Sequence, residues 1–391
     1  MSTLRTLDRA AYVATQGARV AWYSAHYVLA RRLSGPISPK GEPEFNPQAP
    51  AGDPAKIRVA FLKLFAQDRA NIEAGLYPAP DDFNLRALPR LLDESRRFFE
   101  DLPRVDVRRA EKRGAEVRDS NEIRGQFPAY YLQNFHYQTG GWLTRESAKL
   151  YDTQVETLFA GAGDAMRRIG IGLLLSALRG RDQRKLKLLD VACGNGRVLR
   201  DILRALPRLK TTGLDLSPAY VEEARARLKE WRQADLVAGA AEAMPFDDGA
   251  FDALTCVYLF HELPPRVRRD AAREIARVLK PGGLFLMVDS IQGGETPDLD
   301  RMLEYFPIGF HEPYYGSYLQ EDLAALFREV GLEVVESKRA FLSKAILLKK
   351  RDWRSLPREA GERAASTQPA ARSTTPPYRL AIPLQTASPH S

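Results

Sequence analysis

From position 188 onward the apolar residues switch repeatedly between short continuous runs and helical spacing. Leu188, Leu189 and Val191 form one run, and beyond two glycines Val198, Leu199, Ile202, Leu203 and Leu206 recur at helical intervals. The pattern then repeats. A second run, TTGLD (211–215), ends on an acid; Ser217 is placed to cap a helix, Pro218 stands at its first turn, and Val221, Ala224, Leu228 and Trp231 make its apolar face. A third short strand, 236–238, follows. Strand, helix and strand in alternation predict an α/β fold with a parallel sheet.

The N-terminal third reads differently. Positions 4–33 follow a helical pattern through Tyr12, Val13, Val20, Ala21, Trp22, Tyr27, Val28 and Leu29, broken by Arg9, Arg19, Arg31 and Arg32. Arg19 in the middle argues against a membrane span, and the segment lacks the apolar core and cleavage site of a secretory signal. Such a helix either packs on its own protein or lies on a membrane surface. We divide the chain into this amphipathic helix (1–34), a Pro/Gly-rich linker (35–54), a helical accessory or lid region (55–144), the α/β domain (145–350) and a Ser/Thr/Pro/Ala-rich tail (351–391) read as disordered. Within the accessory region, Val59, Phe61, Leu62, Leu64 and Phe65 make one apolar cluster and Leu88, Leu91, Leu92 and Phe98 another. The charge-dense run 104–124 is read as a solvated face or loop.

The turn between the first strand and helix carries candidate chemistry. In LLDVACGNGRVLR (188–200), Asp190 ends the strand, and Gly194 and Gly196 let the backbone approach a ligand. A dinucleotide fingerprint requires a third glycine where Leu199 stands, so a nicotinamide cofactor is disfavoured. Asp215, closing the second strand, is placed to accept both ribose hydroxyls.

Taken in order, LDVACGNG (189–196), GLDLS (213–217), AEAMPFDDGAFD (241–252), ALTCVY with LFHEL (253–263) and RVLKPGG (277–283) resemble the class I S-adenosylmethionine (SAM)-dependent methyltransferases, in the branch of the ubiquinone and menaquinone C-methyltransferases. The resemblance covers residues 145 to 350. It implies a seven-stranded Rossmann-like sheet with helices on both faces, closed by an antiparallel hairpin of LEVVE (332–336) and AFLSKAILL (340–348) split at 337–339. It also implies SAM as cofactor. Asp190 and the Gly194–Gly196 turn would border its methionine end, Asp215 would hold the ribose, and Glu242 and Met244 would lie near the adenine. Ala192, Asn195, Leu216 and Tyr258 complete this candidate set. Two positions depart from the family pattern. Ala192 replaces the first glycine of the turn, tolerable while its φ stays negative, and Ala240 replaces the acid that bonds the adenine amine, removing about 1 kcal/mol unless Glu242 supplies the acceptor.

Each candidate has a second reading. Asp215 also suits a helix cap, and Asp190 orients the turn as readily as it touches SAM. Cys193 and Cys256 lie in apolar contexts and read as core. His261, with Glu262 beyond the fourth strand, is either a base or scaffold. Methyl transfer from a sulfonium rests mainly on alignment and desolvation, so it requires no obvious base. Two aromatic clusters, YYLQNFHY (130–137) with Trp142 and FPIGFHEPYYGSY (306–318), suit the wall around a ring or prenyl acceptor, or else cement the N-terminal region to the sheet. His261, His311 and Tyr315 are the catalytic candidates.

Composition changes this picture little. With 391 residues and 44% hydrophobic content, the chain holds one full α/β domain plus an accessory region. Two cysteines build no disulfide framework, which suits the cytoplasm. A net charge of +8, from 58 Lys plus Arg against 50 Asp plus Glu, keeps an RNA methyltransferase as an alternative, although no RNA-binding module appears and TCVY (255–258) replaces the motif used on base amines. A non-catalytic SAM-binding protein is the other alternative. Nothing in the sequence spacing marks a metal-ligand cluster or sets the oligomeric state. The function predicted is methyl transfer from SAM to a small aromatic or lipophilic acceptor, with nucleic acid disfavoured as a partner.

Overall fold

The computed structural model describes residues 2–35, 45–119 and 125–352, so the tail from 353 and residues 36–44 of the linker lie outside the described residues. Three long helices come first: α1 (Ser2–Leu33), α2 (Pro54–Glu73) and α3 (Leu88–Ala110). Then α4 (Arg145–Leu158) and α5 (Gly163–Leu178) lead into β1 (Lys187–Val191), α6 (Arg197–Ala205), β2 (Lys210–Asp215), α7 (Pro218–Arg227), β3 (Ala234–Ala238), β4 (Phe251–Val257), α8 (Pro265–Val278) and β5 (Leu279–Ser290). The chain closes with α9 (Pro297–Phe310), α10 (Tyr315–Tyr318), α11 (Leu323–Glu329), β6 (Leu332–Ala340) and β7 (Ser343–Lys350).

The strands form one seven-stranded sheet in the order β3-β2-β1-β4-β5-β7-β6, with β7 antiparallel to both neighbours. Successive residues of the central strands face opposite layers, as a strand's alternation requires. Leu188 packs with Val198, Leu199 and Ile202 of α6, whereas Leu189 joins Ala272 and Ile275 of α8 and Phe327 of α11. Both faces are therefore dry, which explains the continuous apolar runs in the sequence. Strand order reverses at β1, between β2 and β4, opening a crevice at the carboxyl ends of these strands. The caps predicted for α7 are present: Ser217 Oγ accepts from the Tyr220 N–H, and Pro218 opens the helix.

Two sequence readings are corrected here. The closing hairpin does not split at 337–339; β6 runs through those residues, and the chain reverses at Phe341, whose φ is +58°. Pairing with β7 carries these polar residues, because an edge strand with one open side tolerates them. The charged run after 104 is not wholly solvated. Helix α3 continues to Ala110 despite Pro103, and Arg108 donates to the Tyr137 carbonyl at 3.2 Å and to Thr139 Oγ1 at 2.8 Å.

The N-terminal helices share a core with the sheet layers. Leu64 of α2 packs with Met166 and Ile169 of α5 and with Ile291, Leu299 and Leu303. Beneath them lies a buried ionic lattice. Arg19 of α1, only 2% exposed, meets Asp82, Glu156 and Asp164 at 3.1, 3.3 and 2.5 Å. Asp164 also pairs with Arg167 at 2.8 Å and with Arg197, the first residue of α6. Arg19 thus explains its own place in an apolar helix: it faces inward, to carboxylates. Among the described residues no helix is long and apolar enough to cross a membrane.

Removing one partner from a buried ion cluster leaves charge uncompensated. Arg19→Met should lower unfolding free energy by about 3–5 kcal/mol, read by urea denaturation. A change below about 1 kcal/mol, the range of a solvent-screened pair, would contradict the lattice.

Candidate functional site

The crevice at the switch point is a cavity of about 1000 Å³. Its floor comes from the strand ends and its roof from the N-terminal aromatics Tyr130, Tyr131, Phe135 and Trp142. Asp190, Ala192, Gly194, Asn195, Asp215, Leu216 and Tyr258 all line it. At the end of β1, Asp190 Oδ1 accepts a 2.6 Å bond from Thr255 Oγ1, and Oδ2 is buried with no hydrogen-bond partner among the described residues. At the end of β2, Asp215 accepts from the Gly194 N–H at 2.8 Å through Oδ2 and from the Ser217 N–H at 2.9 Å through Oδ1. The acid therefore fixes the glycine turn and starts α7 while still facing the cavity. Asn195 donates to the Ala148 carbonyl at 3.3 Å, tying the turn to α4.

The two glycines do different work. Gly194, at φ +56°, lines the cavity, and a side chain there would begin with only the Tyr220 ring near it, at 4.0 Å. Gly196, at φ +79°, does not line it: a Cβ there would stand 3.1 Å from that of Ala224, so this glycine lets α6 and α7 pack. Ala192 departs from its sequence condition. Its φ is +55°, not negative, so the turn keeps the left-handed geometry of the glycine it replaces and carries the strain.

On the adenine side two candidates stand behind the cavity wall. Met244 does not line the cavity; it is buried in the core with Leu214, Phe251 and Leu254, its N–H bonded to Glu274 Oε2 at 2.7 Å. Glu242 does not line it either. Its Oε1 accepts a 2.7 Å bond from the Tyr130 hydroxyl, so it anchors the aromatic roof. Ala240 packs with Leu216, Phe127 and Tyr131, so apolar contact occupies the place of the usual acid.

A second cavity of about 500 Å³ adjoins the first, and Tyr151, Tyr258 and Glu262 line both. Tyr258 stands on this seam at φ +58°, a strained conformation for a bulky residue, held by a 2.7 Å bond to Ser343 Oγ and by the Arg167 guanidinium 5.6 Å from its ring centre. Phe306, Tyr315, Leu158 and Phe159 give the second cavity an aromatic and aliphatic wall. Tyr315 lines it with its hydroxyl bonded to Ser290 Oγ at 2.6 Å, and burial holds the phenol neutral.

His261 also lines the second cavity, with Nδ1 2.5 Å from Asp289 Oδ1 and Nε2 3.4 Å from Glu262 Oε1. Burial opposes its positive charge, but Asp289 and Glu262 outweigh burial and raise its pKa well above the usual imidazole range. An imidazole already protonated is a poor base, so of the two sequence readings the geometry favours a charged, orienting His261. Burial pushes the Glu262 carboxyl upward. His311 stands apart from both cavities. Its Nε2 lies 3.0 Å from the Gln133 side chain, and its ring fills the space left by the missing side chain of Gly114. Cys193 and Cys256 are buried and free, as a core reading requires.

Sequence spacing missed one grouping. His136, Glu262 and Glu312, from three separate segments, bring a potential ligand atom each to within 4.8 Å of one another. The sequence spacing marked no metal-ligand cluster, and it could not have marked this grouping, since only the fold brings the three residues together.

A Rossmann-like sheet in this strand order, with acids ending β1 and β2 around a glycine turn, defines a nucleoside-binding enzyme of the methyltransferase class. Residues 188–283 match a family model described as a methyltransferase domain. Over 200 residues the chain is 34% identical to the ubiquinone/menaquinone biosynthesis C-methyltransferase UbiE of Methylobacterium nodulans, covering 50% of this chain and 74% of that one. A demethylmenaquinone methyltransferase of Thermotoga maritima is 39% identical over 103 residues, 26% of this chain and 43% of its own. A fatty-acid O-methyltransferase of Mycolicibacterium smegmatis is 33% identical over 146 residues, 37% of this chain and 52% of its own. The chain belongs to the class I SAM-dependent methyltransferase family. The cavity residues fit SAM: an orphaned carboxylate oxygen on Asp190, room at Gly194 with only the Tyr220 ring within 4.0 Å of where a side chain would begin, and Asp215 in the cavity wall.

Burial raises Asp190 to about 7, with the nearby Asp215 adding to it, and raises Asp215 to about 6 against its two backbone bonds. A carboxyl whose folded pKa exceeds the ordinary 3.8 favours the fold while protonated. The SAM-free protein should therefore lose stability as pH rises from 3.8 towards about 7, while affinity for SAM rises as the acids ionise. Titration calorimetry should show tighter binding at pH 8 than at pH 5 (roughly tenfold or more, for a shift of more than one unit), with the step reduced to the part carried by Asp190 and binding weakened in Asp215→Asn; affinity flat with pH in the parent would refute this. Ala192→Gly should raise stability by about 0.5–1 kcal/mol through relief of the left-handed alanine, measured by thermal unfolding.

Proposed function

We propose that this methyltransferase acts on a small aromatic or lipophilic acceptor whose reacting atom enters the second cavity. The observation that carries the reading is the seam: Tyr151, Tyr258 and Glu262 border both cavities, so an acceptor against the aromatic wall faces the cofactor directly. Bound in the first cavity, SAM supplies a sulfonium methyl that the acceptor's electron pair takes, leaving S-adenosylhomocysteine. The protein's part is alignment and exclusion of water. The roof of Tyr130, Tyr131 and Trp142 covers the first cavity, and Phe306 and Tyr315 close the second. Glu262, with its pKa raised by burial and His261 beside it, is placed to receive the proton that an acceptor hydroxyl or acidic carbon gives up.

The relatives' names support an acceptor with apolar character. We read residues 145–350 as the catalytic domain, 55–144 as its lid, and the cytoplasm as its compartment. Val28, Leu29 and Leu33 of α1 are exposed near Arg31 and Arg32, a face suited to peripheral contact with an anionic membrane that holds a lipophilic acceptor.

Labelled methyl from SAM, supplied to the protein with a cell extract, should partition into organic-soluble or small-molecule products; label in RNA would overturn the reading. With the acceptor so isolated, Glu262→Gln should lower kcat by about 10²–10⁴-fold; an unchanged kcat would overturn its role as base.

A further inference from the structure

We propose that His136 Nε2 and the carboxylates of Glu262 and Glu312 form a divalent-cation site beside the methyl-transfer seam. Three observations meet there. The donors converge: all lie within 4.8 Å of one another, and His136 Nε2 is 3.3 Å from Glu312 Oε1. Two ligands each about 2.1 Å from one metal stand roughly 3–3.4 Å apart, so this pair needs little rearrangement. The carboxylates are also under-satisfied. Glu262 and Glu312 are 3% and 4% exposed, and Oε2 of each is buried with no hydrogen-bond partner among the described residues. Finally, no Lys or Arg lines this cavity, which leaves the imidazoles of His136 and His261 as the only basic side chains in its wall.

Buried carboxylate oxygens without donors are costly unless a ligand satisfies them. A nitrogen and two carboxylate oxygens with open positions suit manganese, iron(II), cobalt(II) or zinc better than calcium, which takes an all-oxygen shell. An outer layer supports the donors. His261, anchored by Asp289, bonds Glu262, as metal-ligating carboxylates are commonly held. A cation there would stand on the acceptor side of Glu262, where it could polarise an acceptor oxygen.

The test needs neither acceptor nor activity. Cobalt(II) titrated into the purified full-length protein should give a d–d absorption band saturating at one equivalent per chain, and Glu312→Gln and His136→Gln should each weaken that binding at least tenfold. SAM titrated into the same samples reports separately on the methyltransferase site. Intact SAM binding without a cobalt band in the parent would overturn the metal site and leave the proposed function standing. Equal cobalt binding by parent and both variants would also overturn it, because the ion would then lie elsewhere.

Discussion

Arg197 opens α6 one residue past the glycine turn, and the arrangement of the molecule depends on how its charge is held. It lines the SAM cavity and pairs with Asp164 and Asp82, which also pair with Arg19 of the first helix. Glu156 and Arg167 extend the set, so three guanidiniums and three carboxylates from five parts of the chain neutralise one another out of water. Such a lattice tolerates no missing member, because a buried lone charge costs several kcal/mol. The N-terminal helices are therefore not an optional addition. They supply the charges that let an arginine begin α6 next to a nucleoside pocket.

The same logic governs the pocket itself. Asp190 and Asp215 are kept in a dry cleft where burial favours their neutral forms, and the cleft draws charge-complementary ligand groups in proportion to that cost. Some backbone strain lies at the same place: Ala192 and Tyr258, two of the eight non-glycine residues with positive φ among the described residues, border the cofactor cavity. Stability is spent where the ligand repays it.

The sheet was legible because its determinants are local. Apolar runs marked the strands, glycines and Asp215 marked the turn, and Ser217 with Pro218 marked a helix start that the structure reproduces. The departures share a cause. Met244 and Glu242 lie in the right motif, but which way a side chain turns depends on Glu274 and Tyr130, far away in sequence. His311 belongs to an aromatic cluster whose other members, Phe306 and Tyr315, do line the acceptor cavity, yet Gly114 offers its ring a separate niche. No spacing rule could have paired Glu312 with His136, since each reaches the site from its own irregular segment.

That division also shows where acceptor choice resides. The cofactor side is built from strand ends and the turns that follow them, elements fixed by the sheet. The acceptor side is built from α4, the loop after β4, and the α9–α10 segment, which the sheet does not dictate. Its wall is apolar, its depth carries histidines and glutamates, and of its two residues with left-handed backbone, His136 and Tyr258, the latter is shared with the cofactor side. An apolar body with a single polar reacting end satisfies both parts of that surface at once. A wholly polar acceptor would leave the aromatic wall unmatched, and a wholly apolar one would leave Oε2 of Glu262 and of Glu312 buried without a hydrogen bond, which is the costlier mismatch.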